Sequence, residues 1–259
     1  MDLGIKGRKA IVCASSRGLG RGCAMALARA GVEVTINGRD EAVLQRTADE
    51  ISAATGVAVT AVVGDVSSRE GQQALLSACP DPDILVNNNG GPPYKDFREL
   101  DREAMLTGVT MNMVTPIELI QATIGDMIER RFGRIVNITS VSVKMPVFGL
   151  DLSSGARGGL TAFLAGVARG VAQHNVTINH ILPGYFDTDR LRGGIKSNAK
   201  VLGKSENELA VERAAEVPAG RFGTPEEFGE CCAFLCSVPA GYITGQSLLL
   251  DGGLYRGVM

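Results

Sequence analysis

The stretch RKAIVCASSRGLG at positions 8–20 decides the fold. Its first part, at 8–14, is a short apolar run that predicts a buried β-strand. A glycine-containing turn follows and leads into a helical pattern at about 19–30. Glycines at such a turn let the backbone approach a pyrophosphate, whose charge a helix N-terminus favours. The stretch therefore predicts a nucleotide-binding βα unit, although a plain tight turn would use the same residues.

Strand and helix patterns alternate along the rest of the chain. Further strands are predicted at 32–37, 57–63, 83–86, 134–138, 176–182 and 247–250. Further helices are predicted at 41–54, 68–78, 101–130 and 153–173, and another begins at the capping box of Thr224 and Glu227. Strands separated by helices imply right-handed crossovers and a parallel sheet covered on both faces.

The predicted fold class is therefore α/β, with one Rossmann-type, doubly wound parallel sheet of about seven strands and helices on both faces. No linker or repeat divides the chain, so a single domain over 1–259 is expected. Sheets of this kind bind ligands beyond the carboxyl ends of their strands. The residues that follow each strand are therefore the candidate site.

Composition excludes several other classes of protein. Of the 259 residues, 45% are hydrophobic and 21% charged, which is ordinary for a globular chain. The net charge of −2 offers no basic field for nucleic acid or an anionic membrane. No apolar run is long enough to span a bilayer or to serve as a secretory signal. The six cysteines form no CxxC pair, which predicts no metal site and a reducing, cytoplasmic location.

The end of the second predicted strand indicates which dinucleotide is bound. A cofactor with a free ribose 2′-hydroxyl usually meets a carboxylate about 20 residues after the glycine turn. Asn37, Gly38 and Arg39 occupy that place, so no carboxylate repels a 2′-phosphate. Arg39 offers a guanidinium fork to such a phosphate, and Arg17 a second positive group. NADP(H) is therefore predicted, although both arginines would also suit a solvated surface.

Several motifs, in order along 7–253, resemble those of the short-chain dehydrogenase/reductase family, in its 3-oxoacyl-carrier-protein-reductase-like branch. CASSRGLG at 13–20 stands where the family has TGxxxGxG, and NNNG at 87–90 where it has NNAG. IVNITS at 135–140 is similar to the strand that ends in the active-site serine. Asp65-Val66, Pro183-Gly184, YITG at 242–245 and DGG at 251–253 match further family motifs.

The resemblance implies roles for individual residues and an activity. The expected cofactor contacts are Ser15, Ser16, Arg17, Gly18, Leu19, Gly20, Asn37, Arg39, Asp65, Val66, Asn88, Gly90, Arg157, Pro183, Gly184 and Phe186. Ser140 is expected in the active site, and Asn112 where the family holds a proton-relay water. The implied activity is NADP(H)-dependent oxidation or reduction of an alcohol or carbonyl group.

The chain departs from the family where the proton is handled. The family has a tyrosine 13 residues after the serine and a lysine four further on, and these positions hold Ser153 and Arg157 here. Ser153 has an alkyl hydroxyl, a weaker acid than a phenol, and Arg157 is always protonated. Lys144 and Tyr185 are candidate replacement proton donors, with a solvated lysine and a pocket wall as the alternative interpretations.

Two further expectations concern partners. The segment at about 185–224 is expected to cover a small-molecule or acyl substrate. Its basic residues at intervals of four predict one basic helical face, suited to an acidic substrate or simply solvated; they are Arg192, Lys196, Lys200 and Lys204. A homotetramer is expected, or else a dimer, through the last strand and the helix that carries Cys231, Cys232, Phe234 and Leu235.

Three functions stay open at this point. The first is an NADP(H)-dependent oxidoreductase with an atypical active site. The second is a non-catalytic NADP-binding or scaffold protein, because the family's general acid is missing. The third is a non-redox, lyase-type enzyme that uses the same pocket. Ser140 and Asn112 favour chemistry over none.

Overall fold

The computed structural model describes residues 1–258, which contain a sheet of seven parallel strands. The strands are β1 (Lys9–Val12), β2 (Glu33–Gly38), β3 (Val59–Val63), β4 (Ile84–Asn87), β5 (Gly133–Ile138), β6 (Val176–Pro183) and β7 (Ser247–Leu250). Their order is β3-β2-β1-β4-β5-β6-β7. The predicted fold class is confirmed, and the ends of the predicted strands shift by one or two residues at most.

Nine α-helices are present within residues 1–258. They are α1 (Gly18–Arg29), α2 (Glu41–Thr55), α3 (Arg69–Ala78), α4 (Arg102–Val109), α5 (Thr115–Glu129), α6 (Asp151–Val171), α7 (Asp189–Leu202), α8 (Glu206–Ala215) and α9 (Pro225–Leu235). Side-chain oxygens cap most of their N-termini, as Asp101 does for α4. The predicted capping box of Thr224 and Glu227 is confirmed at α9.

The sheet separates two hydrophobic layers. Side chains alternate between the faces of a strand, so Val12 packs into the layer of α1, α2 and α9, whereas Ile11 packs into the layer of α3, α5 and α6. Strand order reverses between β1 and β4. This topological switch point opens a crevice at the carboxyl ends of the strands, and the candidate site lies there.

The helix predicted at 101–130 is interrupted. A π-helical turn, Thr110–Val114, separates α4 from α5. Pro116 explains the interruption, because it has no amide hydrogen to donate to the carbonyl of Asn112, four residues earlier. In the widened turn the Asn112 amide donates to the carbonyls of Gly108, at 3.3 Å, and Gly90, at 3.5 Å. The turn therefore directs Asn112 towards the loop that follows β4.

Close packing of α1 on α9 corrects part of the assembly prediction. A Cβ atom on Gly22 would collide with the Pro225 carbonyl, so the two helices touch through backbone. This contact leaves Cys232 and Leu235 only 0% and 2% exposed within one chain. These two side chains are therefore not available to a partner subunit, whereas Cys231 and Phe234 are half-buried.

The segment after β6 forms a pair of helices, α7 and α8. They pack on each other through a small hydrophobic cluster of Ile195, Ala199, Leu209 and Ala210. No helix in the described part of the chain is both long and apolar enough to cross a bilayer.

Candidate active site

The N-terminus of α1 is open. Within residues 1–258 no side chain caps it, and its first turn carries no acidic residue. A Cβ on Gly20 would lie only 2.9 Å from the side-chain amide nitrogen of Asn88, so glycine alone allows the helix to come this close to the switch point. Free amides and the helix dipole together favour a bound phosphate. The observed turn therefore fits the predicted pyrophosphate site.

Buried polar side chains hold the turn after β1 in place. The Ser15 hydroxyl donates to the Val12 carbonyl at 2.6 Å and accepts from the Asn37 amide at 3.1 Å. The side-chain amide of Asn37 donates to the carbonyls of Val62 and Gly64, each at 3.1 Å. The side chains of Ser15 and Asn37 are therefore used inside the protein. Contact of their backbones with a cofactor stays a prediction.

Ala14 lies in a strained conformation between these bonds. Its φ is 43°, in the left-handed region, at a position where the family motif has glycine. The Asn88 side chain donates to the Ala14 carbonyl at 3.0 Å and so ties the turn to β4 across the switch point. A side chain in this region costs about 1–2 kcal/mol. The surrounding hydrogen bonds hold the strained residue in place.

Two arginines mark the corner predicted to bind a 2′-phosphate. Arg17 and Arg39 are both exposed, and the Arg17 guanidinium lies 3.8 Å from Asp40. Within residues 1–258, Arg39 forms no ion pair. A Cβ on Gly38 would lie 3.0 Å from the side chain of Ser16, so glycine also serves the close contact between β2 and the turn. The corner can offer two guanidinium groups to an anion.

Three other predicted cofactor contacts lie around the crevice. Asp65 is exposed, and its carboxylate accepts from the Ser67 amide at 2.8 Å. Val66 is buried beside it, with 3% exposure. Gly90 presents its carbonyl to Asn112. These residues line the turns that follow β3 and β4.

Two close contacts position the turn after β6, one at Gly184 and one at Phe186. A Cβ on Gly184 would lie 2.8 Å from the Cα of Asp251, which requires glycine there. The ring of Phe186 meets Phe228 edge-on, with centroids 5.2 Å apart, and is buried in the core. The ring of Phe186 therefore packs in the core, and contact of Phe186 with a cofactor stays a prediction.

Ser153 and Arg157 lie one turn apart on α6, and both are buried. The Arg157 Nε donates to the Ser153 hydroxyl at 3.3 Å, and its Nη1 donates to the Ile138 carbonyl at 2.7 Å. Burial, with a contribution from the charge of Arg190, lowers the pKa of Arg157 to about 10. Arg157 is therefore charged at neutral pH. It polarises the Ser153 hydroxyl without releasing a proton of its own.

Ser140 follows β5 by two residues. Its hydroxyl oxygen accepts from the Ser142 amide at 3.1 Å. No acceptor among residues 1–258 takes the hydroxyl hydrogen of Ser140, so that hydrogen can be donated to a ligand oxygen. This is the chemistry that the resemblance expects of an active-site serine.

A small cavity connects the turn after β4 with α6. Its wall includes Asn88, Asn89, Asn112 and Arg157, and its volume of about 20 Å³ suits about one water molecule. The side-chain oxygen of Asn112 is buried without a hydrogen-bond partner in the described part of the chain. The cavity therefore has the space and the polar wall that a relay water needs.

The two candidate replacement proton donors point elsewhere. The Lys144 ammonium lies 5.9 Å above the ring of Tyr255. The ring of Tyr185 meets Phe222 edge-on at 6.4 Å. Neither lines the cavity that Arg157 borders, and Ser140 and Ser153 do not line it either. Their role as donors stays a prediction.

His180 is a neutral core residue. It is only 2% exposed, and burial lowers its pKa to about 4.

The predicted basic face on α7 is mostly paired with acids. Arg192 lies 2.6 Å from Asp187, and Lys204 lies 2.7 Å from Glu212. Lys204 is beyond the helix, because Gly203 ends α7 with a φ of 66°. The expectation that all four residues share one helical face is therefore wrong.

Arg190, one of the basic residues of the segment expected to cover the substrate, reaches the loop after β4. It is the second residue of α7. Its Nη1 lies 3.5 Å from the Gly91 carbonyl and its Nη2 3.4 Å from the Pro92 carbonyl. The side chain therefore spans from the substrate-covering segment to the loop after β4. Only the folded arrangement of these two segments could reveal this contact.

Comparison with known proteins decides the family. Residues 13–255 match the family model described as Enoyl-(Acyl carrier protein) reductase. The 3-oxoacyl-[acyl-carrier-protein] reductase of Vibrio cholerae is 32% identical over 258 residues, which cover 98% of this chain and 99% of the relative. The chain is a member of the short-chain dehydrogenase/reductase family. The predicted family and its 3-oxoacyl-carrier-protein-reductase-like branch are both confirmed.

Solved structures agree with this assignment to the short-chain dehydrogenase/reductase family. The L-sorbose reductase of Gluconobacter frateurii, solved with NADPH and L-sorbose, is similar with a TM-score of 0.94 at 28% identity, over 100% of both chains. YwfH, described as an NADPH dependent reductase involved in bacilysin biosynthesis, has a TM-score of 0.90 at 29% identity. That match covers 97% of this chain and 99% of YwfH.

Proposed function

We propose that this protein is an NADP(H)-dependent oxidoreductase that interconverts a carbonyl and an alcohol on a small-molecule or acyl substrate. The Vibrio cholerae relative is a reductase, and the L-sorbose reductase was solved with NADPH. One observation carries the proposal. Asn88 bonds the turn beside the open end of α1 and also lines the cavity that Arg157 borders, so a cofactor end and a catalytic end share one crevice.

The residues present fit the cofactor. The open amides of α1 would hold the pyrophosphate, and Arg17 and Arg39 the 2′-phosphate. Asp65 and Val66 would lie beside the adenine ring of the cofactor. When bound, NADP(H) supplies or accepts a hydride at the substrate carbon.

The proton passes through Ser153. In the reducing direction Ser140 donates a hydrogen bond to the substrate oxygen, and the Ser153 hydroxyl gives that oxygen its proton. A serine and a substrate alcohol have similar acidity, so this transfer is nearly balanced, and charged Arg157 stabilises the serine alkoxide. A water molecule beside Asn112 returns a proton to Ser153. Oxidation runs the same steps in reverse.

A labelled-cofactor experiment separates the three functions that the sequence leaves open. NADPH binding is first measured by calorimetry. NADPH carrying deuterium at C4 is then incubated with a panel of keto esters, sugars and aromatic ketones, and products are examined by mass spectrometry. We expect tight NADPH binding and one deuterium in an alcohol product. Binding without transfer favours the non-catalytic alternative, and substrate conversion without NADPH oxidation favours the lyase-type alternative.

We further propose a homotetramer, with a dimer as the alternative, in the cytoplasm. The edge strand β7 and helix α6 keep apolar side chains in solvent, as Leu248 at 39% and Phe163 at 50% exposure show. Six free cysteines suit a reducing compartment. Light scattering at micromolar concentration tests the assembly, and a monomeric mass would contradict it.

A further inference from the structure

Two exposed aromatic side chains lie on loops at the carboxyl edge of the sheet, where the crevice opens. Tyr94, in the loop after β4, is 64% exposed, and Phe148, between β5 and α6, is 69% exposed. In the chain Phe148 lies between Ser140 and Ser153, only five residues before Ser153. We call Tyr94 and Phe148 the aromatic rim.

The two loops that carry the aromatic rim contact each other. The backbone amide of Lys95 donates to the Gly149 carbonyl at 3.0 Å. A Cβ on Gly149 would lie 2.6 Å from two carbons of the Tyr94 ring, so glycine alone lets this ring pack on the backbone beside Phe148. The two side chains of the rim are therefore neighbours.

The Phe148 side of the rim is built on a tight turn. The Leu150 amide donates to the Val147 carbonyl at 2.9 Å, which leaves Phe148 and Gly149 as the two central residues. Gly149 has a φ of 80°, as the second central residue of a type II turn requires. The Gly149 amide also donates to the Asp151 carboxylate at 3.0 Å, so the start of α6 fixes the turn.

The Tyr94 side of the rim is restrained as well. Pro92 and Pro93 fix two φ angles directly before Tyr94. The Arg190 Nη2 lies 3.4 Å from the Pro92 carbonyl and so links this loop to α7. Groups that are held in place before binding lose little conformational freedom when a ligand arrives.

The ring faces of the rim are available to a ligand. Within residues 1–258, neither Tyr94 nor Phe148 pairs with another aromatic ring, whereas Tyr185 and Phe222 meet edge-on at 6.4 Å. Partial burial is the main cause that raises the pKa of Tyr94, and the nearby Tyr185 adds to the rise. Because Tyr185 follows the Gly184 turn, this contribution agrees with a place for Tyr94 beside the crevice.

A substrate held for reaction would extend towards the rim. Ser153 and Arg157 are only 6% and 8% exposed, so α6 closes the crevice on its inner side. The part of a substrate that does not react must therefore point outwards, past the loops that carry Tyr94 and Phe148. A few polar groups at the reacting end and aromatic surface beyond them are typical of small-molecule sites.

We propose that the aromatic rim binds a planar ring of the substrate, so that the protein acts on aryl ketones and aryl alcohols in preference to their saturated counterparts. The proposal rests on the proposed function, since it names the substrate class of the same crevice. Aromatic rings that stack or meet edge-on attract each other beyond the burial of their area. A saturated ring of the same size gains burial alone.

Matched pairs of ketones test the proposal by binding. The NADP⁺-saturated protein is titrated by calorimetry with acetophenone and cyclohexyl methyl ketone, and with 2-acetylnaphthalene and 2-acetyldecalin. NADP⁺ has no hydride to give, so the ketones bind without being reduced. Each saturated ketone has at least as much apolar surface as its partner, so burial alone predicts no preference for the aromatic ring. We expect at least one aromatic ketone to bind about 3-fold or more tightly than its saturated counterpart.

Leucine variants locate the preference, because leucine keeps an apolar side chain and removes the ring. The Tyr94→Leu, Phe148→Leu double variant should bring the aromatic-over-saturated ratio to within about 2-fold of unity. Tyr242→Leu is the matched control and should leave the ratio unchanged, since Tyr242 is fully exposed and precedes β7, at the opposite edge of the sheet. NADPH affinity equal to that of the wild type checks that each variant has folded. If the double variant fails this check, Phe148→Leu alone, at an exposed turn position, replaces it and should lower the ratio.

Each outcome decides for or against the ring site. Equal binding within both pairs, tighter binding of the saturated ketones, or no binding of any probe overturns it. An unchanged ratio in the rim variant, or an equal loss in Tyr242→Leu, also overturns it. Light scattering tests whether a second copy of the chain covers the rim instead, and a rim variant with a smaller assembly than the wild type would show that.

The failure of the site and the failure of the proposed function can be told apart. If aromatic ketones bind preferentially but NADPH never transfers its hydride to them, the proposed function fails and the ring site stands. If hydride is transferred to the saturated ketones as readily as to the aromatic ones, the function stands and the ring site fails.

Discussion

The cofactor half and the catalytic half of the crevice differ in what builds them. The cofactor half consists of the turns after β1 and β2, where glycines, open amides and buried side chains such as Ser15 and Asn37 shape the backbone. The catalytic half presents side chains to the ligand, among them Ser140, Ser153 and Arg157. The chain shares its fold with the L-sorbose reductase, with a TM-score of 0.94, although only 28% of the residues are identical. The side chains of the catalytic half can therefore change while the backbone of the cofactor half keeps its shape.

The helices α1 and α9 differ at their N-termini: that of α1 is uncapped, whereas that of α9 is capped. The two helices pack on each other, yet only one of them has N-capping side chains. At α9, Thr224 and Glu227 form a capping box, and the Arg221 guanidinium, 2.6 Å from Glu227, is the main reason that the pKa of Glu227 falls to about 2. The N-terminus of α1 has neither a cap nor an acidic residue. The N-terminus of α9 is thus occupied by its own side chains, whereas that of α1 is open to an anion.

The largest effect is expected in the catalytic half. Ser153→Ala should lower kcat about 10²-fold while leaving NADPH affinity unchanged, because it removes the proposed proton donor. Ser154→Ala is the matched control, since the Ser154 hydroxyl donates to the Leu150 carbonyl within the helix. Steady-state kinetics and calorimetry on both variants check the prediction.

The same kinetics test the other candidate donors. Lys144→Ala and Tyr185→Phe should each lower kcat less than about 10-fold, because Lys144 lies over the ring of Tyr255 and Tyr185 packs against Phe222, whereas Ser153 is hydrogen-bonded to Arg157. If kcat fell about 10²-fold in either variant while Ser153→Ala kept the wild-type kcat, the residue changed in that variant would be the proton donor instead of Ser153.

In the cofactor half, Arg39→Ala should narrow the preference for NADPH over NADH by about 1–3 kcal/mol, because it removes a charge-assisted hydrogen bond to the 2′-phosphate. Titration of each variant with both cofactors measures the difference. Arg46→Ala, at an exposed position on α2, is the control and should change neither affinity. Equal wild-type affinity for NADPH and NADH would contradict the 2′-phosphate assignment.

Restoring the family residues tests whether the catalytic half has been rebuilt. The Ser153→Tyr, Arg157→Lys double variant should gain no ketone reduction and should lose about 1–3 kcal/mol of unfolding free energy, because a phenol ring overpacks the site of a serine only 6% exposed. Urea unfolding and kinetics measure both. Arg157→Lys alone, which keeps the positive charge, separates the effect of the change at 157 from that of the phenol ring at 153. A clear rise in the rate of ketone reduction by the double variant would contradict this prediction. It would mean that Ser153 and Arg157 are weaker substitutes for Tyr and Lys in an otherwise unchanged active site.

The smallest effect concerns the strained turn. Ala14→Gly should raise the free energy of unfolding by about 0.5–1 kcal/mol, since relief of the left-handed φ exceeds the added chain entropy of glycine. Ala54→Gly, at an exposed position in α2, should instead lower it by about 1 kcal/mol. Urea unfolding of both variants checks the opposite signs. Destabilisation by Ala14→Gly would mean that the turn carries no strain.

Local patterns predicted much of this molecule from its residues alone. Apolar runs, glycine turns and capping boxes depend on neighbours in the chain, so the strands and the helix starts at Asp101 and Thr224 follow from the sequence. The π-helical turn was missed, although Asn112 and Pro116, four apart, carried the signal. The predicted basic face failed at Lys204, because Gly203 ends the helix before it.

The sequence by itself determined the sheet, the family and the exchange of Tyr and Lys for Ser153 and Arg157. Tertiary structure alone decided which charges are paired and which side chains meet. Arg190 and Gly91 are 99 positions apart in the chain, and only the packing of α7 against the loop after β4 brings the Arg190 guanidinium within 3.5 Å of the Gly91 carbonyl. Periodicity reports which face of an element is buried, whereas an encounter between distant elements depends on how the whole sheet is assembled.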